Sequence, residues 1–437
     1  MAPSIPFTEP TWYSRKSFPY YNASHEKLRD EVRAYIAEKI TPNCADWEAA
    51  GAVPKEVLLE YSARGYTAVT LNPAAIAKYL DGVTLPGGIE AKDWDAFHDL
   101  ICIDEIARCG YLGVIWALGC GDSIGCPPVV NFGSDEQKER FLPSVIRGES
   151  RFCLGVTEPD AGSDVAGIRT TAERKGDVYV VNGAKKWITN GMWATHATAA
   201  VRTGRQGKGG ISALVIPLDA KGVSRRKILN SGVSASGSTY LEFDDVEVPV
   251  ANLLGRENEG FKIIMSNFNH ERLWLACTSL RMARECMADA YLHALTRKTF
   301  GKPLIEHQAI RTKFSNIALK ILPAHALMET LVAMANGHAV RNKKYTADET
   351  AEELRYGGLV ALLKVAAGRA LEEAVRESQQ VMGGMGYSRT GKGARIEQIS
   401  RDVRVMVVGG GSEEILSDLA FSQERRDLEA LGRESKL

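Results

Sequence analysis

The chain has 437 residues, of which 45% are hydrophobic and 25% charged, ordinary globular values that allow two or three packed layers. Lysine plus arginine equals aspartate plus glutamate at 54 each, which removes the global field needed for strong nucleic-acid or anionic-membrane binding. The eight cysteines never form a CxxC pair and the histidines are scattered singly, so reduced thiols, an intracellular setting and no metal site are expected. No stretch is read as approaching the ~20 apolar residues of a membrane helix.

The first 21 residues carry several prolines and aromatics but neither a basic-then-apolar signal nor an Arg-rich leader. From about residue 24 the pattern is helical: Leu28, Val32, Ile36 and Ile40 recur every fourth residue, and a second run covers Trp94 to Arg108. Pro42 and Gly87-Gly88 mark helix ends or loops. After residue 150 short β-branched runs appear, among them Val178–Val181, Ala213–Ile216 and Tyr240–Phe243, separated by turn residues as in a small antiparallel β domain. Helical patterns return after Gly260 and continue to about 425, broken at glycines 383–386 and 409–411. The expected organisation is therefore an N-terminal α-helical domain (22–150), a middle β domain (151–257), a C-terminal helical domain (258–425) and a tail (426–437). There is no internal repeat, and the clefts between blocks are the default ligand site. The terminal tripeptide Ser435-Lys436-Leu437 matches a peroxisomal import address, which makes a peroxisomal location the expectation.

Six separated segments carry a more specific signal. They are Asn131 to Lys138, then Gly155-Val-Thr-Glu-Pro-Asp-Ala-Gly-Ser-Asp164, then Lys186-Trp-Ile-Thr-Asn-Gly191, then Phe243 to Pro249, then Arg297-Lys-Thr-Phe-Gly301 with Glu306-His-Gln308, then Gln380-Val-Met-Gly-Gly-Met-Gly-Tyr387. In this order and spacing they resemble the acyl-CoA dehydrogenase family over roughly residues 25 to 425. The resemblance implies a mainly α fold with a central β domain: a helical N-terminal domain, an antiparallel barrel-like middle domain and a C-terminal four-helix bundle. It also implies FAD as cofactor, an acyl-CoA substrate and a homodimer or homotetramer.

The residue types suit that cofactor. Val156 and Thr157 at a strand end can offer backbone N–H groups and a hydroxyl to a flat polar-edged ring; Trp187 can lie against the ring and Thr189 can donate to its edge. The bland reading of each alone is a β-turn around Pro159 and Gly162 and a core tryptophan. By resemblance Leu154 joins these ring contacts, and Ser163 sits near the pyrophosphate or the thioester. Arg297 and Gln308, read as three turns apart on one helix face, address the adenosine diphosphate half with Phe300, or else form an exposed ion-pairing face. Gly383 and Gly384 give close backbone approach to phosphate, or simply terminate a helix, and by resemblance Gln380 joins them in the cofactor site. Ser412 and Glu414 fall near the flavin at a helix start, and Phe268, Asn269 and Arg272 fall in the substrate site.

The catalytic base departs from the commonest family pattern. Counting from Arg401-Asp402, the position of the family's usual glutamate is Gly410, within Gly409-Gly410-Gly411-Ser412. A subset that includes isovaleryl- and long-chain acyl-CoA dehydrogenases supplies the base from a helix of the C-terminal domain, at the residue before a family arginine. That arginine matches Arg272 and the preceding residue is Glu271. The resemblance then implies that Glu271 removes the α-proton, that the Gly410 N–H polarises the thioester oxygen, and that the β-hydrogen passes as hydride to the flavin. A carboxylate enclosed there should have a raised pKa. Its bland reading is a helix-surface partner for Arg272 or Lys262, and Glu413 and Glu414 compete for the role. Three glycines leave room for a branched or bulky acyl group. The segment 388–400 is longer than usual and basic from Ser388 to Arg395.

Two other functions fit the same motifs. A peroxisomal enzyme of this fold would pass electrons to oxygen, as acyl-CoA oxidases do, rather than to an electron-transfer flavoprotein; oxidases are usually longer. A non-catalytic flavin-fold protein that binds acyl-CoA or nucleic acid is the other reading. Zero net charge and Glu271 argue against it, and neither nucleic acid nor a membrane is an expected partner.

Overall fold

The computed structural model describes residues 5–15, 18–342 and 356–434; Ser435-Lys436-Leu437 lies outside them. The N-terminal block opens with α1 (Ala23–Tyr35), started by a reciprocal cap in which Asn22 Oδ1 accepts the Ser24 N–H and His25 Nδ1 accepts the Asn22 N–H. A strict four-residue repeat drifts around a helix of 3.6 residues per turn. To keep Ile36 and Ile40 in the core, the chain widens into a π turn over Ile36–Ile40, where the Thr41 N–H reaches Ile36 O. Helix α2 (Ala96–Ile106) is capped by Asp95 and His98 in the same manner as α1. Helix α3 (Leu112–Gly125) is buried along nearly its whole length, and α4 (Asp135–Ile146) follows a Ser134–Gln137 capping box.

Two expectations are corrected here. Leu112–Phe132 and Gln308–Gly337 do reach the length and hydropathy of a membrane span; the first is 89% buried within the protein, a core helix rather than a lipid-facing one. His25, distant in sequence, joins Asp95 and His98 of one helix start in a group close enough to hold a metal. Their atoms are already engaged: His25 Nε2 meets Asp95 Oδ1 at 3.1 Å, His98 Nδ1 accepts the Asp95 N–H, and His98 Nε2 meets Ser24 Oγ.

The middle block is one sheet of β1 (Phe152–Gly155), β2 (Thr171–Lys175), β3 (Val178–Ile188), β4 (His196–Arg202), β5 (Ile211–Pro217), β6 (Val223–Lys227), β7 (Thr239–Pro249) and β8 (Leu253–Leu254), ordered β6-β7-β3-β2-β4-β5-β8 with β1 beside β4. It is mixed, not antiparallel as expected. β1 runs parallel to β4, and β2 touches β4 in parallel, because β3 runs back along β2 and the turn after it reverses the chain a second time. The register of β3 on β7 shifts between Lys185 and Ile188. That irregularity turns Trp187 out at a positive φ of 66°.

The C-terminal block holds four long helices, α5 (Gly260–Thr296), α6 (Gln308–Asn342), α7 (Gly357–Met382) and α9 (Glu413–Glu434), with the shorter α8 (Ala394–Val408) between the last two. The last helix continues past residue 425, the expected end of the domain. α5 is buried without a break from Trp274 to Met287, so its charged members must be paired inside. Asp104 of α2 accepts from Arg281 (Nε to Oδ2, 2.9 Å) and also from Arg284, while Glu105 takes Arg33 and Arg108. All eight cysteines are free and buried. Removing one partner of a buried pair strands the other charge. Asp104→Asn should therefore lower the unfolding free energy by about 3 kcal/mol, measured by denaturant titration against the parent protein.

Candidate active site

The start of α5 is fixed from two sides. Asn267 Nδ2 donates to Ile124 O of α3 at 2.8 Å. Phe268, with Phe261 and Met265, packs on an apolar cluster of Leu154, Val156, Ala161 and Ile264. One expected substrate residue and two expected ring contacts are thus joined at the seam between sheet and helices. Arg272 lies over the Phe268 ring at 5.6 Å and donates from Nε to the Gly410 carbonyl at 3.0 Å; Asn269 is half-buried on the same turn.

Glu271 faces the position from which the usual glutamate is missing. A Cβ placed on Gly410 would lie 3.6 Å from Glu271 Oε1 and 2.7 Å from Leu275 Cδ1. Gly410 and Gly411 have φ of 67° and 110°, backbone that a side chain would strain. Glu271 is half-buried, forms no hydrogen bond to Arg272, and its Oε2 is buried without a partner. Burial pushes its pKa up to about 7 against the opposing pull of Arg272, Lys364 and His270. The competing carboxylates are elsewhere: Glu413 is paired with Arg369 and Glu414 is exposed.

A residue not foreseen from sequence secures the glycine loop. Lys364 of α7 is buried and donates to Val407 O at 2.7 Å and Gly411 O at 2.9 Å. With Arg272 on Gly410 O and the Gly409 N–H on Val405 O, the turn is held at every step. Burial lowers the Lys364 pKa to about 8, so its charge is maintained chiefly by Glu271 nearby. A lone lysine inside Leu362-Leu363-Lys364-Val365-Ala366 was the available signal. Lys185 plays a similar part in the sheet, donating to Val156 O, Ala200 O and Glu158. Glu158 in turn accepts the Arg169 and Thr170 N–H groups and closes the loop that carries Ser163.

The residues expected to hold FAD suit it. Trp187 is 53% exposed, a large indole left uncovered beside half-buried Thr189 and Thr157. Ser163 is exposed, and Ser412 immediately precedes α9. At the end of α7, a Cβ placed on Gly383 (φ 61°) or on Gly384 would meet no atom within 4 Å, an open corner beside exposed Gln380. Arg297, Phe300 (96% exposed) and Gln308 are uncovered as well. They do not share a helix face, however. α5 ends at Thr296, a hairpin of Lys298–Thr299 and Lys302–Pro303 intervenes, and α6 begins at Gln308. No hydrogen bond, ion pair or ring contact among the described residues links this group to Leu154, Val156 or Trp187. The basic segment 388–400 is also different from its expectation: it is helical from Ala394, and Arg395 turns inward to Asp289 (2.8 Å) and Glu285 (2.9 Å).

Family models for the N-terminal, middle and C-terminal domains of acyl-CoA dehydrogenases match residues 22–149, 153–246 and 258–421. The chain belongs to the acyl-CoA dehydrogenase family. It is 53% identical over 425 residues to acyl-CoA dehydrogenase AFT10-1 of Alternaria alternata, covering 97% of each chain. It is 39% identical over 426 residues to acyl-CoA dehydrogenase apdG of Emericella nidulans, covering 96% of this chain and 95% of the relative. The crystal structure of a probable acyl-CoA dehydrogenase from Mycobacterium abscessus superposes with a TM-score of 0.80 at 32% identity, over 92% of this chain and 99% of the other. The enzyme is accordingly an FAD-dependent oxidoreductase.

Because Lys364 favours the charged form of Glu271, its replacement leaves burial less opposed. Lys364→Met should move the acidic limb of the pH–rate profile upward from about 7 and lower turnover, with Lys364→Arg restoring part of both; the check is kcat measured from about pH 5 to 9, a range between the ordinary carboxylate and lysine values.

Proposed function

We propose that the enzyme desaturates the Cα–Cβ bond of an acyl-CoA thioester with Glu271 as its base. The opposition of Glu271 and Gly410 across less than a side chain's width carries this reading. A carboxylate with a pKa of about 7 exchanges a proton readily near neutrality. It would take the α-proton onto Oε1, the oxygen that faces the glycine loop, while the Gly410 N–H holds the thioester oxygen and acidifies that proton. Arg272 and Lys364 keep the loop aimed, and Phe268, Asn269 and Ser163 line the thioester's approach. Bound FAD supplies the acceptor for the β-hydride; Leu154, Val156, Thr157, Trp187 and Thr189 would hold its ring. Arg297, Phe300, Gln308, Gln380, Gly383, Gly384, Ser412 and Glu414 would complete its site, with Arg297, Phe300 and Gln308 reaching it from a second copy of the chain.

The space kept clear by Gly409-Gly410-Gly411 supports a branched or bulky acyl group. The likeness to proteins named acyl-CoA dehydrogenases favours an electron-transfer flavoprotein over oxygen as acceptor. Anaerobic titration with straight and branched acyl-CoAs should bleach the oxidised flavin spectrum, most completely with branched chains, and admitting air should restore it only slowly. Fast reoxidation would make the enzyme an oxidase. Glu271→Gln should reduce the rate of bleaching by about 10²- to 10⁴-fold; full activity in that variant would overturn the assignment of the base and favour the non-catalytic reading.

A further inference from the structure

His270 stands one residue before Glu271 on α5, and its Nε2 meets Asp99 Oδ2 of α2 at 3.0 Å. The residues beside the pair in sequence are mostly apolar and buried, among them Leu100 and Ile103 on α2 and Trp274 on α5. Farther along the same helices Cys277 Sγ rests on Leu100 O and Asp104 binds Arg281 and Arg284. Apolar side chains of similar volume would fill the place at no loss of stability, since the desolvation of an ion pair offsets its attraction.

The pair is also reachable. His270 keeps 33% of its side chain accessible and Asp99 19%, although burial is the foremost influence on the ring. Glu271 beside it is half-buried as well, and the two groups stand close enough for each to influence the other's charge. Among the described residues Nδ1 of His270 has no hydrogen-bond partner, and neither does Asp99 Oδ1. With Nε2–H given to Asp99, Nδ1 is the atom left for a ligand. The charges that face the ring are the carboxylates of Asp99 and Glu271, and both favour its protonated form, in which Nδ1 is a donor.

We propose that His270, oriented by Asp99, is a specificity residue that donates Nδ1–H to an oxygen on the acyl chain, so that the enzyme prefers acyl thioesters with a hydroxyl or carbonyl beyond Cβ over plain hydrocarbon chains. The oxygen lies beyond Cβ because Cα and Cβ are the reacting atoms. This inference rests on the dehydrogenase reading and names its substrate class. A site built to bond an oxygen rejects the analogue that lacks it, because its own polar atoms are then left unpaired.

The test is kcat/KM for matched acyl-CoA pairs of equal chain length, one member of each carrying a hydroxyl or keto oxygen beyond Cβ. The wild-type enzyme should favour at least one oxygenated member by about tenfold or more. His270→Leu should bring that ratio to about one, and Asp99→Asn should lower it partway; His270→Asn serves if the leucine variant does not fold. A wild-type ratio of one or less across the panel, or a preference that both the histidine and the aspartate variants retain, would show the pair to be structural. Failure of every acyl-CoA to bleach the wild-type flavin is a different result, which removes the dehydrogenase reading and this inference together.

Discussion

The buried carboxylate of Asp104, gripped by Arg281 and Arg284, sets the position of α5 against the N-terminal block, and the site is built outward from that helix. α5 carries Glu271 toward its start and the two arginines farther along. Its register on α2 therefore fixes where the carboxylate of Glu271 stands relative to the glycine loop. Three charges without access to water must be mutually satisfied or not buried at all, which makes this contact intolerant of a slip by one residue. A slip would separate the Asp104 oxygens from both guanidinium groups at once.

The opposite wall has its own fastening. Asp402, buried in α8, accepts the Leu112 and Val233 N–H groups and the Gln398 amide, and so ties the N-terminal block, the sheet domain and α8 together. Burial and the neighbouring Glu48 hold its carboxyl up at about 7. α8 runs directly into Gly409, where Lys364 and Arg272 take over. Glu271 and the loop it faces thus arrive from different helices, each anchored by a buried acid that bridges domains. The small gap between them follows from two independent anchors.

The three-block organisation was legible because it rests on local periodicity: four-residue spacing in Leu28 to Ile40, β-branched runs in the sheet, glycines at 383–386 and 409–411. That Glu271 stands opposite Gly410 was within reach of the resemblance, which matched Arg272 and Arg401-Asp402 to reference points on two helices. What failed was non-local or hidden in short turns. The parallel pairing of β1 with β4 depends on a hairpin between them. The turn at Phe300-Gly301 breaks the single helix that the spacing of Arg297 and Gln308 suggests. Arg395 belongs to a segment that reads only as basic, and it turns inward to Glu285 and Asp289 on α5, partners too distant in sequence to be anticipated. Lys364 gives only the weak sign of one charge in an apolar run, which a lysine with its head in solvent produces equally.

The geometry around Gly410 makes carboxylates at 271 and 410 mutually exclusive. A carboxylate at 410 as well as at 271 would bring two like charges together where Cβ and Oε1 are already only 3.6 Å apart, and one of them would have to remain protonated. A carboxylate at neither position leaves the α-proton without an acceptor. The loop takes a left-handed turn at Gly410, with a φ of 67°, and Leu275 stands 2.7 Å from where a Cβ would lie. Both features penalise any side chain at 410. In this backbone positions 271 and 410 therefore cannot both carry a carboxylate, and variation of the surrounding pocket has to leave the glycine in place.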